Sequence, residues 1–281
     1  LNLRHIAVET AECLAALRSS KYLPSKTGST FAQTKQLLAA GRDVLYTGTP
    51  CQIAGLKSFL GPGFATLLTC DVVCHGVSSE RMFRKYIAAL EKQHGAKATA
   101  LCFRDKSSGW KNYSVRINFE NGSTYRAPAT EDPFMLAYLR NLCLRSGCYH
   151  CPFAAIPRQG DITLGDYWGL DLAHPELDDN RGTSLVLANT EKGKESLAAL
   201  AGAIELHPSS LTQAARCNPS LTRPVGPSLQ REEFMNDLDA LPFAELRIKY
   251  LMPARPPSLL RRVYWRVKRL LPPGIKDYFE R

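Results

Sequence analysis

Apolar and polar positions change period several times along the chain. Leu3–Glu9 alternates as a strand would, and Thr10 can cap a short helix running to about Arg18. A polar loop follows at Ser19–Ser29. Phe31–Ala40 then carries Phe31, Leu37 and Leu38 at helical spacing and closes on Gly41, a C-terminal cap. Asp43–Thr47 is a short β-prone run, followed by Gly48-Thr49-Pro50-Cys51 and a helical stretch Gln52–Leu60. Ala65–Val73 is a second apolar strand, followed by Cys74-His75-Gly76 and a helix near Ser79–Gln93. This alternation predicts an α/β fold with a mainly parallel sheet.

Further on, Thr99–Phe103 is strand-like. Tyr113–Phe119 and Ser123–Arg126 flank Asn121-Gly122, the signature of an inserted β-hairpin. Asp132–Leu144 is helix-like, Asp161–Leu164 and Ser184–Asn189 are strand-like, and Thr190 starts a helix over Glu191–Leu200. From Pro208 onward prolines divide the chain into short helical pieces. The expected organisation is an α/β body over 1–207 and a proline-punctuated helical C-terminal region over 208–281. No internal repeat is visible.

Composition narrows the class. Of 281 residues, 44% are hydrophobic and 22% charged, as in an ordinary folded globular protein. No run approaches the roughly 18 apolar residues of a membrane span, and the N-terminus has no signal-peptide core. A cytoplasmic setting is expected. The chain begins with Leu1, so it is expected to be a fragment or processed product with upstream sequence missing. Of the net charge of +10, six units lie from Arg255 onward, where eight basic residues face two acidic ones. The body is only mildly basic, which argues against nucleic acid as a partner. Within that tail, Leu259, Leu260, Val263, Tyr264, Val267, Leu270 and Leu271 alternate with five basic side chains. On a helix they form one apolar and one cationic face. That pattern suits peripheral membrane contact, or a helix packed on its own domain.

Nine cysteines are the main chemical signal. In a reducing compartment a Cys-x-x-Cys pair points to a metal, a cluster or redox chemistry. Cys148-Tyr-His-Cys151-Pro152 is such a pair, and its spacer lets both sulfurs face one centre. Alone it fits half a zinc site, a thioredoxin-like couple or a chance pairing. Cys51 and Cys74 each lie just past a predicted parallel strand, and such strands deliver their C-terminal ends to one edge. Cys51, Cys74, Cys148 and Cys151 can therefore converge as four thiolates, suited to a 4Fe-4S cluster or tetrahedral zinc. Cys70 and Cys102 read as strand-core residues, Cys13 and Cys217 as bystanders, and Cys143 as the substitute ligand if one of the four is wrong.

Four segments make the picture more specific: Gly48-Thr-Pro-Cys-Gln-Ile-Ala-Gly-Leu56, Asp71-Val-Val-Cys-His-Gly-Val-Ser-Ser79, Phe103-Arg-Asp-Lys-Ser-Ser-Gly-Trp-Lys111 and Gly160-Asp-Ile-Thr-Leu-Gly-Asp-Tyr-Trp-Gly169. With Ser20-Lys21-Tyr22 upstream, they resemble the coenzyme F420 hydrogenase/dehydrogenase beta-subunit family, over roughly residues 5–205. The resemblance implies an iron–sulfur flavoprotein oxidoreductase subunit. It would pass electrons between a ferredoxin or ferredoxin-like donor, a 4Fe-4S cluster, FAD and a small-molecule two-electron partner, with coenzyme F420 one candidate substrate. It also implies the same four cysteine ligands. Many relatives carry an N-terminal ferredoxin segment with repeated cysteines, and none is present in this sequence. A separate ferredoxin, or the missing upstream sequence, would supply it.

Given a flavin, several residues become candidates for holding it. Lys21, Ser25, Ser29 and Thr30 precede a helix N-terminus, where backbone N–H groups favour phosphate, although a solvated loop with a cap gives the same pattern. Gly48 and Thr49 permit close approach beside Cys51. His75, next to Cys74, could relay a proton or simply bond a carbonyl. Arg104, Asp105, Lys106, Trp110 and Lys111 form a charged aromatic loop that could grip an anion or be an exposed turn. Asp161 and Asp166 could orient a cofactor or cap turns. Two rivals keep the fold without redox activity: a zinc-stabilised protein and a scaffold subunit.

Overall fold

The computed structural model describes residues 3–252; the tail stripe Leu259–Leu271 and its membrane role lie outside the described residues. Strands β1 (Val44–Gly48), β2 (Leu67–Val72), β6 (Ile162–Asp166) and β7 (Ser184–Ala188) form one sheet in the order β1-β2-β6-β7. The first three are parallel, and β7 returns antiparallel to β6. Helices α1 (Thr30–Ala39) and α2 (Pro50–Leu60) cover one face, burying Leu38, Tyr46, Ile53, Leu56, Leu60 and Leu67 together. The mixed α/β fold with a mainly parallel sheet is thus the one its periodicity predicts.

Helix α2 begins two residues earlier than expected. Pro50 occupies its first turn, where a fixed φ is preorganised and a missing N–H costs nothing. Thr49 and Gln52 complete a reciprocal capping box. Cys51 consequently sits on the helix N-terminal turn and not in a loop.

The second sheet is a separate antiparallel meander of β3 (Ala98–Asp105), β4 (Ser114–Phe119) and β5 (Thr124–Pro128). The Asn121-Gly122 turn joins β4 to β5, with Gly122 at φ +79°. It packs against α3 (Glu80–His94) and α4 (Pro133–Leu139) through Met82, Tyr86, Val115, Ile117 and Phe134, the largest core. Beyond β6 come α5 (Leu170–Ala173), α6 (Glu191–Ala198) and α7 (Leu211–Cys217), and Leu170, Leu185 and Ala214 share a third, smaller core there. Helices α8 (Arg231–Ala240) and α9 (Phe243–Tyr250) return to the largest core, adding Phe234, Leu238, Leu246 and Tyr250.

Three local expectations fail. Leu3–Glu9 makes only an isolated bridge, Arg4 to Lys26, because no strand lies beside it to complete a ladder. The segment after Thr10 is a 3-10 helix, Glu12–Leu17, with no side-chain cap. The helix expected to reach Leu144 ends at Leu139, and Asn141 turns the chain through the left-handed region at φ +55°.

One polar contact fixes the sheet to the loop that follows the later cysteine pair. Asp71 of β2 is fully buried, and its carboxylate accepts from Thr163 Oγ1 at 2.6 Å, Arg158 Nη2 at 3.3 Å and the N–H groups of Gln159 and Gly160 at 3.0 Å each. Arg158 also donates to the carbonyls of Val72 and Phe153. Gly160 runs so close to β2 that an added Cβ would lie 2.6 Å from both Asp71 N and Ile162 O. Gly160→Ala should therefore lower unfolding stability by about 1–3 kcal/mol, the cost of overpacking rigid backbone. Chemical denaturation checks this; an unchanged midpoint would contradict the packing described.

Candidate metal centre and its flanking clusters

Three chain segments bring the four candidate thiols to the C-terminal edge of the parallel strands. Cys51 lies in the first turn of α2, and Cys74 lies two residues past β2. Cys148 sits in a 3-10 turn, Ser146–His150, and Cys151 follows it. The later segment is laced to the turn after Cys74: Arg145 N donates to Val77 O at 2.9 Å and Ser79 N to Cys143 O at 2.7 Å. Gly76, at φ +134°, marks the closest approach. A Cβ there would stand 3.2 Å from Cys148 Cβ and 3.7 Å from its Sγ.

The titration environment reports the same convergence. The Cys74 thiol is pushed up to about 12, first by burial and further by charge on Cys148, Cys51 and Cys151, against a backbone hydrogen bond from Gly76. Burial also raises the Cys148 thiol; the Val77 backbone opposes this, and Cys151 and Cys51 add to it. Four thiolates this close repel one another, and a bound cation reverses that sign. A set of four sulfur donors suits a soft metal or an iron–sulfur cluster. Among the described residues, no three His, Cys, Asp or Glu side chains yet stand in closed metal-ligand geometry. Cys51 Sγ instead pairs with Thr49 Oγ1 at 3.1 Å. The neighbourhood is assembled, with the sulfurs not drawn onto one point.

The other cysteines stay out of this group. Cys70 is buried in β2 and Cys143 is fully buried, its Sγ donating to Ser78 Oγ at 3.6 Å. Cys217 packs against Gly169, and Cys13 is exposed. Cys102 lines a separate cavity of about 420 Å³, floored by Leu23, Phe83, Ile87 and Phe103 and rimmed by Arg18 and Lys26.

Beside Cys51 lies a polar cluster. Thr49 N and Oγ1 both donate to Gln52 Oε1 at 3.0 Å, and Gln52 Nε2 donates to Ser25 O at 3.0 Å. Ser25 Oγ pairs with His5 Nδ1 at 2.9 Å, while His5 Nε2 reaches Thr47 O at 3.2 Å and its ring stacks on Tyr46. Burial lowers the His5 pKa, against the Thr47 bond. Thr30 Oγ1 donates to Thr27 O and meets Tyr46 Oη at 3.0 Å. A Cβ on Gly48 would press on Gln52 and touch His5. Ser25, Thr30, Gly48 and Thr49 thus gather at one strand end. Lys21 and Ser29 do not join them. Lys21 Nζ closes the 3-10 helix by donating to Arg18 O at 2.7 Å and Ser19 O at 3.1 Å, and Ser29 is an exposed cap position without a side-chain bond.

His75 and Asp166 occupy the other flank. His75 Nε2 meets Asn141 Oδ1 at 2.7 Å, and its ring lies 5.1 Å from Tyr138. Burial lowers its pKa and the Asn141 bond opposes this. Asp166 ion-pairs with Arg104 and accepts from Trp110 Nε1 at 3.4 Å. Asp161 is structural: it accepts from Thr69 N, Thr69 Oγ1 and Thr190 Oγ1, joining β2 to the start of α6. Sequence reasoning passed over His5, Gln52, Tyr138, Asp71 and Arg158. Only Gln52 carried a signal, its three-residue offset from Thr49.

With this geometry in view, comparison with known proteins gives the class. The pattern for the C terminus of the coenzyme F420 hydrogenase/dehydrogenase beta subunit matches residues 41–212, more than half of the chain. The chain belongs to that family, which relates it to oxidoreductase subunits. All four candidate cysteines, His75, Arg104 and Asp166 lie inside the match, whereas Lys21, Ser25, Ser29 and Thr30 precede it. A solved structure described as xenon derivatization of the F420-reducing [NiFe] hydrogenase complex from Methanosarcina barkeri contains a similar chain. Identity is 17%, coverage is 73% of this chain and 66% of that chain, and the TM-score is 0.42. The chain thus spans just under two thirds of that relative's length. No curated protein matches. Among the described residues no helix is long and apolar enough to cross a membrane.

Thiol reactivity separates the two groups of cysteines. Cys70 and Cys143 are both pushed up to about 11, chiefly by burial. Near pH 8 only about a thousandth of such thiols is ionised, and the thiolate is the nucleophile. In metal-free protein, iodoacetamide should label exposed Cys13 and Cys51 well before Cys70 and Cys143, as read by peptide mass spectrometry. Equal labelling rates would contradict the burial described.

Proposed function

We propose that the chain is an electron-transferring oxidoreductase subunit in which Cys51, Cys74, Cys148 and Cys151 hold one 4Fe-4S cluster. The observation supporting this is the approach of four thiols from three separate segments to one edge of a parallel sheet, with Cys74 responding to charge on the other three and Cys148 to charge on Cys151 and Cys51. A cluster held there would carry single electrons, its potential set by burial and by hydrogen bonds to sulfur, such as that from Gly76. FAD is the proposed second cofactor, supplying exchange between one-electron and two-electron chemistry. Ser25, Thr30, Gly48 and Thr49 are the proposed flavin contacts, with Gln52 and His5 holding their orientation. Lys21 and Ser29 would reach a flavin only after rearranging. Asp166 would act through Arg104.

His75 is the proposed proton carrier, held in place by Asn141 and Tyr138 beside the Cys74 turn. The unit carrying both cofactors is proposed to be residues 1–207, with the later helices buttressing its core. A ferredoxin or ferredoxin-like domain is the proposed electron donor, and a small molecule such as coenzyme F420 the two-electron partner. The family's description as a beta subunit supports work alongside other subunits. A cytoplasmic setting, with the basic tail as any membrane contact, belongs to the same proposal.

Anaerobic expression and purification tests this directly. The expected product is brown, with visible cluster absorbance, about four iron and four sulfide per chain, and flavin released on denaturation. A colourless protein with stoichiometric zinc would contradict the proposal and support a tetrathiolate structural site. A protein binding neither metal nor flavin would support the scaffold alternative.

A further inference from the structure

Among the described residues Arg104 alone has two buried side-chain nitrogens without a hydrogen-bond partner. It lies on β3, and its side chain is only 6% exposed. Nη1 donates to Asp166, but Nε and Nη2 have no hydrogen-bond partner. Buried charged donors are ordinarily satisfied, and leaving them unmade is costly. Aromatic faces surround the guanidinium. Its carbon lies 4.6 Å from the Tyr113 ring centre, 5.9 Å from Trp110 and 5.8 Å from Trp168. Those contacts attract the cation without supplying an in-plane acceptor. The Tyr22 hydroxyl lies close enough to interact with the guanidinium, and Tyr113 feels its charge, yet no protein atom meets Nε or Nη2 in hydrogen-bond geometry.

The two unpartnered atoms are not a random pair. Nε–H and Nη2–H form one edge of the guanidinium, the fork that matches two oxygens of a carboxylate or phosphate. Asp166 occupies a different edge through Nη1, so it does not compete for the fork. Trp168 lies against Trp110 with ring centres 4.5 Å apart and planes tilted by 36°, and it is 40% exposed, which makes it the outer wall. On the inner side Tyr22 lies 4.6 Å from Tyr138, whose hydroxyl donates to Gly76 O at 3.2 Å, beside Cys74. The fork is therefore separated from the cysteine turn by two aromatic rings.

We propose that the Arg104 fork is a binding site for an oxyanion, carboxylate or phosphate, carried by the small-molecule redox partner, which enters by displacing Trp168 outward. Assignment of the anion to a redox partner rests on the function proposed above; anion capture by Arg104 does not. The walls favour a ligand whose anionic group adjoins a planar or apolar body able to lie against Trp110 and Tyr113.

The test uses the full chain and the fluorescence of its own tryptophans, two of which flank the guanidinium. Inorganic phosphate and succinate are titrated separately against sodium chloride of equal ionic strength. A saturable change with either anion, absent with chloride, is expected, and the stronger of the two names the group. Arg104→Lys keeps the charge but loses the fork, and Arg104→Gln loses both. Each should weaken the response at least tenfold, with near-UV circular dichroism confirming the fold. If neither variant folds, thermal unfolding of the native chain decides: the midpoint should rise with the active anion and not with chloride. No saturable response to either anion, or an undiminished response in the folded variants, would overturn the proposal. Iron and flavin are assayed on the same samples, so cluster loss and anion loss are read apart. An Arg104 variant that lost flavin together with anion binding would overturn the assignment to the substrate.

Discussion

Asp71 and Arg158 form an ion pair whose side chains are both fully removed from solvent. Such a pair is expensive to bury and is tolerated only when the remaining lone pairs and protons are met. Here the carboxylate takes four donors, two from side chains and two from backbone N–H groups, and Arg158 donates to two carbonyls, leaving only its Nε unpartnered. The consequence is positional. β2 leads into Cys74, while Arg158 closes the loop that begins at Cys151, so one contact ties the later pair to the strand that carries Cys74. Removing either partner would leave an uncompensated buried charge, a loss of about 3–5 kcal/mol. It would also free the later pair from the sheet edge.

The cysteine neighbourhood itself is organised against being empty of charge compensation. Burial and mutual repulsion hold protons on Cys74 and Cys148, and Arg145 opposes this only weakly at Cys148. Metal or cluster assembly must expel those protons, which couples binding to local order. The flanking groups are arranged differently. His5, Ser25, Thr49 and Gln52 satisfy one another beside Cys51, whereas Arg104 on the opposite flank is left with an open fork. One flank is complete by itself. The other is complete only with a ligand.

Much of the scaffold was legible from periodicity. Strand ends before Thr49 and Cys74, the Asn121-Gly122 hairpin and the Thr190 cap follow from local rules, and each is formed. What failed was non-local. Leu3–Glu9 alternates correctly but lacks a neighbouring strand, and nothing in Thr99–Phe103 announces that it joins the hairpin in a second sheet. Pro50 could have signalled the earlier start of α2. The placement of Cys51 and Cys74 just past β1 and β2 was legible from strand periodicity, whereas their sharing a centre with Cys148 and Cys151 is the proposal. Asp71 and Arg158 were not legible, because a buried charge pair 87 residues apart in sequence looks like any other aspartate and arginine until the chain folds. Lys21 illustrates the converse: a cation placed well for phosphate in sequence was claimed by nearby carbonyls.

Four particular sulfurs, and not neighbouring ones, are proposed to share a centre. Iron and sulfide content across single variants of the anaerobically purified full chain tests it most directly. Serine at Cys51, Cys74, Cys148 or Cys151 should each cut bound iron by more than half, while Cys70→Ala and Cys143→Ala should retain it. Iron lost with Cys143→Ala but kept with Cys51→Ser or Cys74→Ser would contradict the arrangement.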